Sequence, residues 1–175
     1  MITFGRISPI KDIEIMIQAC ALLKDSWPHQ WMFSIIGGPI TKNDEEYLVS
    51  LKKLVHEKGL ADQIHFEGAR PYAAMPDILR EHDVFLNLSR TGSLDKTVLE
   101  AMSAGLSVIV SNEAYASVVK PPYFLEHSSS EVLAGRIKSL AFEKRPNMAL
   151  RSMVVEKHSL ENTIRKIVSI LTSPL

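Results

Sequence analysis

Two cations close to the amino terminus, Arg6 and Lys11, are the first residues whose types and spacing could do chemistry. They follow Gly5 at the end of a short apolar run, with a Ser8-Pro9 turn between them. If that run is a strand of a parallel sheet, its carboxyl end faces a crevice in which two cations can clamp a diphosphate. An arginine and a lysine around such a turn could also be solvated surface charges, so the pair alone leaves both interpretations open.

The loop formed by Thr91, Gly92, Ser93 and Leu94 is a second candidate, because it joins an apolar run to a helical pattern. Free backbone amides at a helix start, with hydroxyls beside them, bind an anion without needing net charge. A helix in this place also needs a cap, and Ser93 with Asp95 in the first turn could fill that role without a ligand. Anion binding and simple capping are both compatible with this loop.

A carboxylate, Glu100, stands one to two turns into the same predicted helix, on a face otherwise formed by Leu99 and Met102. Few carboxylates occupy such a face without a partner, because burying an unpaired charge is costly. A vicinal diol is a fitting partner, since both ribose hydroxyls can donate to an ionised glutamate. A structural salt bridge is the competing explanation.

The segment Gly68, Ala69 and Arg70 is the fourth candidate, because it follows a predicted strand that ends at Phe66 and Glu67. The backbone groups of a glycine turn in this position could meet a planar base. A plain turn between a strand and a helix would have the same composition, so the segment by itself does not decide between the two.

The composition limits which functions need to be considered. The chain has 175 residues, enough for one domain with a substantial core. Its 20 lysine and arginine residues balance 20 aspartate and glutamate residues, so no bulk positive field favours nucleic acid or an anionic membrane. Cys20, the single cysteine, lies in an apolar run, which predicts a buried structural thiol. The six histidines are scattered without ligand spacing, so we predict no metal site.

The sequence shows neither a targeting segment nor a membrane-spanning stretch. The first residues lack a basic segment followed by an apolar one, and no run approaches the roughly 18 apolar residues of a membrane helix. We therefore expect a cytoplasmic protein.

Short apolar runs that alternate with amphipathic segments are the elements that must position the four candidates. The alternation is typical of parallel strands joined by crossover helices, and it predicts an α/β fold with a Rossmann-like parallel sheet flanked by helices. Predicted strands cover residues 1–5, 31–38, 63–67, 83–88 and 106–110. Predicted helices cover residues 11–24, 43–58, 72–81, 94–104 and 128–142, followed by a helical tail split near Pro146 and His158.

Capping patterns predict where two of these helices begin. Asn43 with Glu46 is predicted to cap the second helix, and Ser128 with Glu131 is predicted to cap the fifth. Gly59 is predicted to end the second helix.

In their order along the chain, these pieces resemble the C-terminal, nucleotide-sugar-binding domain of a GT-B fold glycosyltransferase of the retaining family 4 type. The resemblance covers nearly the whole chain and rests on five segments that occur in the family's order. The matching segments are Gly5-Arg6-Ile7 with Lys11 for Gly-Arg-Leu and its lysine, Ile36-Gly37-Gly38-Pro39 for Val-Gly-x-Gly-Pro, Ile64-His65-Phe66-Glu67-Gly68 for Val-x-Phe-x-Gly, His82-Asp83-Val84-Phe85 for Ala-Asp-Val-Phe, and residues 99–108 for Leu-Glu-Ala-Met-Ala-x-Gly-x-Pro-Val.

The resemblance implies a role for most of the candidates. Arg6 and Lys11 would bind the donor diphosphate and stabilise the charge that grows on it as the sugar–oxygen bond breaks. Glu100 would accept hydrogen bonds from the ribose hydroxyls, and the main chain at residues 68–70 would meet the base. The donor would be a UDP-, GDP- or ADP-sugar, and neither a metal nor another cofactor is expected.

Two positions depart from the family pattern. The family usually has a glutamate eight residues before the ribose-binding one, placed to hydrogen-bond the transferred sugar, and Gly92 occupies that position. In such a variant loop, the backbone amides and Ser93 would meet the phosphates or the sugar, with Leu94 beside them. Asp12 stands where glycine commonly follows the lysine.

The resemblance covers one half of a GT-B enzyme, which also has an N-terminal Rossmann-like domain for the acceptor. We therefore expect residues 1–175 to form a single nucleotide-sugar-binding domain that binds donor without transferring it. The sugar or lipid-linked acceptor, and any peripheral contact with the inner face of a membrane, would belong to the domain that is absent from this sequence.

The same segments can be compared with the motifs that other classes of protein require. A dinucleotide-binding dehydrogenase needs Gly-x-Gly-x-x-Gly after its first strand, where Gly5-Arg6-Ile7-Ser8-Pro9-Ile10 stands instead. A response regulator needs an acidic pair after that strand, and none is present. A GT-B nucleotide-sugar epimerase shares the diphosphate site and stays open, as does a binding or assembly module that has lost donor chemistry.

Overall fold

The sheet at the centre of the molecule has five parallel strands in the order β3-β2-β1-β4-β5. The computed structural model describes residues 1–172. The strands are β1 (Ile2–Phe4), β2 (Phe33–Ile36), β3 (Ile64–Gly68), β4 (Val84–Asn87) and β5 (Ser107–Val110). Strand order reverses beside β1, so the carboxyl ends of β1 and β4 flank the crevice where α/β sheets bind ligands. The predicted Rossmann-like α/β fold is confirmed.

Seven α-helices and three short 3₁₀ turns connect and follow the strands in the part of the chain described. The helices are α1 (Ile13–Ser26), α2 (Lys42–Glu57), α3 (Met75–Arg80), α4 (Lys96–Ser103), α5 (Ser130–Leu140), α6 (Met148–His158) and α7 (Leu160–Thr172). The 3₁₀ turns cover Pro9–Lys11, Tyr72–Ala74 and Glu113–Tyr115. The predicted break of the C-terminal tail near Pro146 and His158 is confirmed.

Two apolar cores lie on the two faces of the sheet. One is built around α1, α2 and α5, and the other around α3, α4 and α6. Strands such as β2 and β4, which are buried along their whole length, supply side chains to both cores. Cys20 is fully buried in the first core, and burial raises the pKa of its thiol to about 12. The prediction of a buried thiol is thus confirmed.

The predicted cap of α2 is wrong by two residues. Thr41 is the N-cap, and its hydroxyl accepts a hydrogen bond from the Asp44 amide at 3.2 Å. The Asp44 carboxylate accepts in return from the amides of Thr41 and Ile40, at 3.1 and 3.2 Å. An aspartate at the third helical position thus completes the capping box in place of the predicted Asn43 and Glu46.

Four other helix starts also differ from their predicted positions. Helix α3 begins at Met75 rather than Tyr72, because Tyr72–Ala74 forms a 3₁₀ turn. Helix α1 begins at Ile13, because Pro9–Lys11 forms a 3₁₀ turn and Asp12 adopts left-handed backbone angles, with φ 49°. Helix α5 is capped by Ser129 rather than Ser128. Helix α4 begins at Lys96 with Asp95 as its N-cap, so residues 91–94 remain a loop.

Candidate anion and nucleotide site

Backbone hydrogen bonds tie the ends of three strands together at the carboxyl edge of the sheet. The Gly5 amide donates to the Ile36 carbonyl, and the Gly37 amide donates to the Gly68 carbonyl, both at 2.9 Å. Gly37 has φ 138°, and a Cβ on this residue would lie only 1.8 Å from the Gly5 carbonyl oxygen. Glycine is therefore required at residue 37 for the loops after β1, β2 and β3 to meet.

Lys11 is held by a carboxylate from a distant part of the chain. Its Nζ atom lies 2.8 Å from Oδ2 of Asp95, which also accepts a hydrogen bond from Asn87 Nδ2 at 2.9 Å. Burial of the Asp95 carboxyl opposes its ionisation, but the hydrogen bonds from Lys11 and Asn87 outweigh burial and make the pKa of Asp95 lower than usual. The 3₁₀ turn after β1, the end of β4 and the start of α4 are thereby joined.

Arg6 differs from the other cations at this edge because its guanidinium has no ion-pair partner within residues 1–172. Arg90 Nε contacts Asp12 Oδ2 at 2.9 Å, and Arg70 contacts Glu67 at 3.3 Å. Arg6 is exposed and lines an open cleft of about 350 Å³ between the loops after β1, β2 and β3. An approaching anion therefore meets an exposed guanidinium that is not held in an ion pair, although its charge is near enough to Asp44 to help lower the pKa of that carboxyl.

The same cleft contains three more of the predicted site residues, Gly5, Ala69 and Arg70. Gly68 lies directly before this group and has φ 70°, which turns the chain at the end of β3. The structure thus brings the candidate after β1 and the candidate after β3 to one cleft, although they are more than sixty residues apart in the sequence.

The loop of Thr91, Gly92, Ser93 and Leu94 is exposed and offers free backbone donors. Within the described chain, the amides of these four residues make no hydrogen bond. Asp95 is the N-cap of α4, and the Ser93 hydroxyl donates to Thr91 Oγ1 at 3.3 Å. The alternative in which Ser93 caps the helix is therefore wrong, and the loop retains the donors that an anion needs.

A buried asparagine and a buried tyrosine fix this loop from the other side. Asn112 Nδ2 donates to the Ser93 carbonyl at 2.7 Å and to Thr91 Oγ1 at 3.3 Å. The Tyr115 hydroxyl donates to the Asp95 carbonyl at 2.6 Å. The loop before α4 and the 3₁₀ turn after β5 are thus fastened to each other.

Glu100 has a neutral partner rather than an ionic one. The Tyr72 hydroxyl donates to Glu100 Oε1 at 2.6 Å, and this hydrogen bond, with the nearby charge, raises the pKa of Tyr72. No salt bridge to Glu100 exists in the described residues, so the structural salt bridge weighed from the sequence is not formed. Tyr72 is itself largely exposed and also lines the cleft of Arg6. It links Glu100 to that cleft.

Sequence reasoning missed Tyr72 as a contributor and considered Asp95 only as a first-turn residue. Tyr72 follows the glycine turn after β3 by four positions, but nothing in that spacing indicates its contact with Glu100. Asp95 lies 84 residues from its partner Lys11, and only the sheet topology brings the two together. Both contacts depend on the tertiary fold.

A cavity of about 410 Å³ adjoins this site. It lies between α3, α4 and α6 and shares Tyr72 and Glu100 with the site. Its outer lining includes three cationic or titratable side chains, Arg80, Arg151 and His158. Residues 1–172 contain no group of three or more metal-ligating side chains and no helix long and apolar enough to cross a membrane.

The fold and the polar edge together define a Rossmann-like α/β domain with a candidate ligand-binding crevice at the switch point of a parallel sheet. The family model described as glycosyl transferases group 1 matches residues 1–158. The chain therefore belongs to the glycosyl transferases group 1 family, and the GT-B resemblance read from the sequence is confirmed.

Two solved structures show the same fold. A structure of Alr3699/HepE from Anabaena in complex with UDP aligns with a TM-score of 0.86 and 20% identity, over 99% of this chain and 48% of that one. The C-terminal domain of a glycosyl transferase group 1 family protein, LpcC, from Francisella tularensis aligns with a TM-score of 0.75 and 22% identity. That alignment covers 91% of this chain and 86% of the other.

A curated relative adds a similarity in sequence. The mannosylfructose-phosphate synthase of Agrobacterium fabrum (strain C58 / ATCC 33970) is 28% identical over 111 residues, which are 63% of this chain and 24% of the relative. This chain thus spans about half the length of the HepE structure, and the matched segment is about a quarter of the curated relative.

Proposed function

We propose that this chain binds a nucleoside-diphosphate sugar in the crevice between the loops after β1, β3 and β4, as the donor-binding part of a retaining glycosyltransferase. The observation that carries the proposal is the meeting of three complementary features at one edge of the sheet. These are an exposed guanidinium at Arg6 that forms no ion pair in residues 1–172, a loop with four free amides at residues 91–94, and the Glu100 carboxylate. A nucleoside diphosphate presents the matching groups, phosphates and a ribose diol.

The diphosphate would lie between Arg6, Lys11 and the amides of residues 91–94. Glu100 would accept hydrogen bonds from the ribose hydroxyls. These hydroxyls would either replace the Tyr72 hydroxyl as the donor to Glu100 or donate beside it. The base would lie in the cleft that Ala69 and Arg70 line, directly after Gly68, and would meet the main chain of this segment.

The bond that breaks in sugar transfer joins the anomeric carbon to a phosphate oxygen, and its electron pair goes to the leaving nucleoside diphosphate. Fixed cations and amides that face this oxygen stabilise the growing negative charge more than the ground state, which lowers the barrier. Arg6 and Lys11 would supply the charged part of this stabilisation, and the loop before α4 would supply the neutral part.

Transfer itself requires an acceptor site that residues 1–175 are not proposed to contain. Because the chain corresponds to about half of the HepE structure, we propose that a second domain of a longer enzyme binds a sugar or lipid-linked acceptor. In that case the isolated chain binds donor but transfers no sugar. Detectable transfer by the purified chain would contradict this part of the proposal.

A thermal-shift screen tests donor binding. The purified chain would be heated with UDP, GDP, ADP and their glucose, mannose and N-acetylglucosamine forms, beside the variants Arg6→Ala and Glu100→Ala. A ligand at a hundred times its dissociation constant should add about 2.7 kcal/mol to the free energy of unfolding. HepE was crystallised with UDP, which makes UDP the first nucleotide to test.

We expect one nucleoside diphosphate to stabilise the wild type and to lose its effect on both variants. Lys53→Ala is the control, because Lys53 is exposed on α2, eleven residues beyond the start of that helix, or about 16 Å along its axis. If no nucleotide stabilises the wild type at millimolar concentration, or if the variants shift as the wild type does, the proposal fails.

A further inference from the structure

A carboxylate from another part of the chain lies against Gly92. A Cβ placed on Gly92 would lie 3.3 Å from Oε1 of Glu113, which belongs to the 3₁₀ turn after β5. Glu113 is exposed, and within residues 1–172 its side chain makes neither a hydrogen bond nor an ion pair. The loop with free amides thus has an unpaired carboxylate at its surface.

The position of Glu113 is fixed by its neighbours. Asn112, which is buried, donates to the Ser93 carbonyl and accepts at Oδ1 from the Ala114 amide at 3.0 Å. Tyr115, also buried, holds the Asp95 carbonyl. Because the residues on both sides of Glu113 are bonded to the segment that contains Gly92, the backbone of Glu113 keeps its position relative to the loop.

An unpaired carboxylate at this place is unfavourable for binding phosphate alone. It repels a diphosphate held by the amides of residues 91–94, so the ligand group beside it must be neutral or a donor. The neutral part of a nucleoside-diphosphate sugar is the sugar, whose hydroxyls donate strong hydrogen bonds to an ionised carboxylate. The sugar is attached directly to the phosphate that the loop would hold, which places its hydroxyls close to Glu113.

A side chain at residue 92 would crowd the Glu113 carboxylate. A glutamate at residue 92 would begin with a Cβ 3.3 Å from the Glu113 carboxylate, and its backbone would adopt φ 65°, a strained region for a side-chain-bearing residue. Glycine at residue 92 therefore leaves room for the Glu113 carboxylate beside the loop.

We propose that Glu113 accepts hydrogen bonds from the hydroxyls of the transferred sugar and determines the affinity for the sugar part of the donor. This inference rests on the proposed function, because it requires the diphosphate to lie on the loop of residues 91–94.

Paired ligands separate the sugar contact from the nucleotide contact. Isothermal titration calorimetry would measure UDP against UDP-glucose, and GDP against GDP-mannose, on the wild type and on Glu113→Gln. Glu81→Gln is the matched control, because Glu81 is also exposed and unpaired among the described residues but precedes β4 at the opposite edge of the sheet.

We expect Glu113→Gln to weaken binding of the favoured nucleotide sugar about tenfold, the loss typical of a charge-assisted hydrogen bond. The affinity for the bare nucleotide should stay within about twofold or improve slightly, since a repulsive charge has been removed. Glu81→Gln should change neither. Thermal unfolding of each variant shows whether it remains folded.

Equal losses for the nucleotide and its sugar form, or no loss at all, would overturn this inference while leaving nucleotide binding established. A wild type that binds a nucleotide and its sugar form equally well would overturn it too, because Glu113 would then have no sugar contact to lose. If neither UDP nor GDP binds the wild type, the proposed function fails and the inference fails with it.

Discussion

Arg6 and Lys11 differ in the charge that each can offer to a ligand. Lys11 and Asp95 form a pair with no net charge, whereas Arg6 has no ionic partner in the described residues. Removing Lys11 would therefore do two things: it deletes one donor and leaves the Asp95 carboxylate uncompensated beside the proposed phosphates. The change in affinity of a Lys11 variant therefore combines the loss of the lysine with the repulsion from Asp95.

A double-mutant cycle separates these effects. We expect Arg6→Ala and Lys11→Ala each to weaken binding of the nucleoside diphosphate about tenfold or more. Adding Asp95→Asn to Lys11→Ala should recover part of the affinity, because the repulsive charge is removed with its partner. Adding Asp95→Asn to Arg6→Ala should recover much less. Dissociation constants from calorimetry measure the affinity that Asp95→Asn restores to each single variant. Equal recovery in the Lys11→Ala and Arg6→Ala backgrounds would show that the Lys11–Asp95 pair does not act as a unit.

Glu100 has a role that can be tested on the ligand as well as on the protein. If its carboxylate accepts from the ribose diol, the wild type should bind UDP about tenfold more tightly than 2′-deoxy-UDP. Glu100→Ala should remove that preference, because the group that reads the hydroxyl is gone. Competition titrations with the two nucleotides measure the ratio. An unchanged preference in the variant would show that Glu100 does not contact the ribose.

Among the elements, the junction of the loops after β1 and β2 depends most strictly on one residue. Gly37→Ala would place a Cβ 1.8 Å from the Gly5 carbonyl oxygen at φ 138°. Because the obstacle is backbone rather than a flexible side chain, the loops must separate, and we expect a loss of about 2–3 kcal/mol in the free energy of unfolding.

The neighbouring glycine is the matched control for this substitution. A Cβ on Gly38 would meet nothing within 4 Å, and its φ lies outside the left-handed region. Gly38→Ala should therefore change stability by less than about 0.5 kcal/mol. Urea unfolding of both variants measures the difference, and equal stabilities would contradict the close contact between residues 5 and 37.

The connection between β1, β4 and α4 through Asp95 should make stability depend on pH. Since the folded pKa of Asp95 is lower than its usual 3.8, its contribution is present above about pH 4 and is lost as the pH falls through the folded value. At pH 7 we expect Asp95→Asn to be less stable than the wild type by about 1–2 kcal/mol. Unfolding free energies at pH 7 and pH 3 should show this gap closing, and a constant gap would contradict the assignment.

The strands and most helices could be predicted from the sequence because their signals are local. An apolar run closed by glycines marked β2, an apolar run that leads into a small polar loop marked β4, and amphipathic spacing marked α2. The start of α4 was misplaced because Ser93 has the composition of a cap, while its hydroxyl bonds to Thr91 in the folded chain. The cap of α2 was misplaced because two overlapping capping patterns compete in residues 41–46.

At the scale of the whole molecule, the site could be predicted only in part. Motif order located Arg6, Lys11 and Glu100 in the sequence, and parallel topology explains why they meet at one edge. Contacts between residues far apart in the chain, such as Tyr72 with Glu100 and Glu113 with Gly92, have no local signal. They arise because the 3₁₀ turn before α3 lies beside α4, and the 3₁₀ turn after β5 lies beside the loop before α4.

The molecule has two neighbouring cavities that could hold a small ligand. Because they are lined by different residues, a measurement can show which of them binds the nucleotide. The proposed crevice is formed by loops at the carboxyl edge of the sheet. The larger cavity lies between α3, α4 and α6 and has Arg80, Arg151 and His158 on its outer lining. Both include Tyr72 and Glu100, so changes at these two residues do not distinguish them.

The most direct measurement is a nuclear magnetic resonance titration of the isotopically labelled chain with UDP and GDP, following every assigned backbone amide. Binding in the crevice predicts the largest shifts at residues 5–6, 68–70 and 91–94, because their amides lie beside the proposed diphosphate and base. Shifts confined to the surroundings of Arg80, Arg151 and His158, or no shifts at millimolar nucleotide, would contradict the assignment of this edge as the donor site.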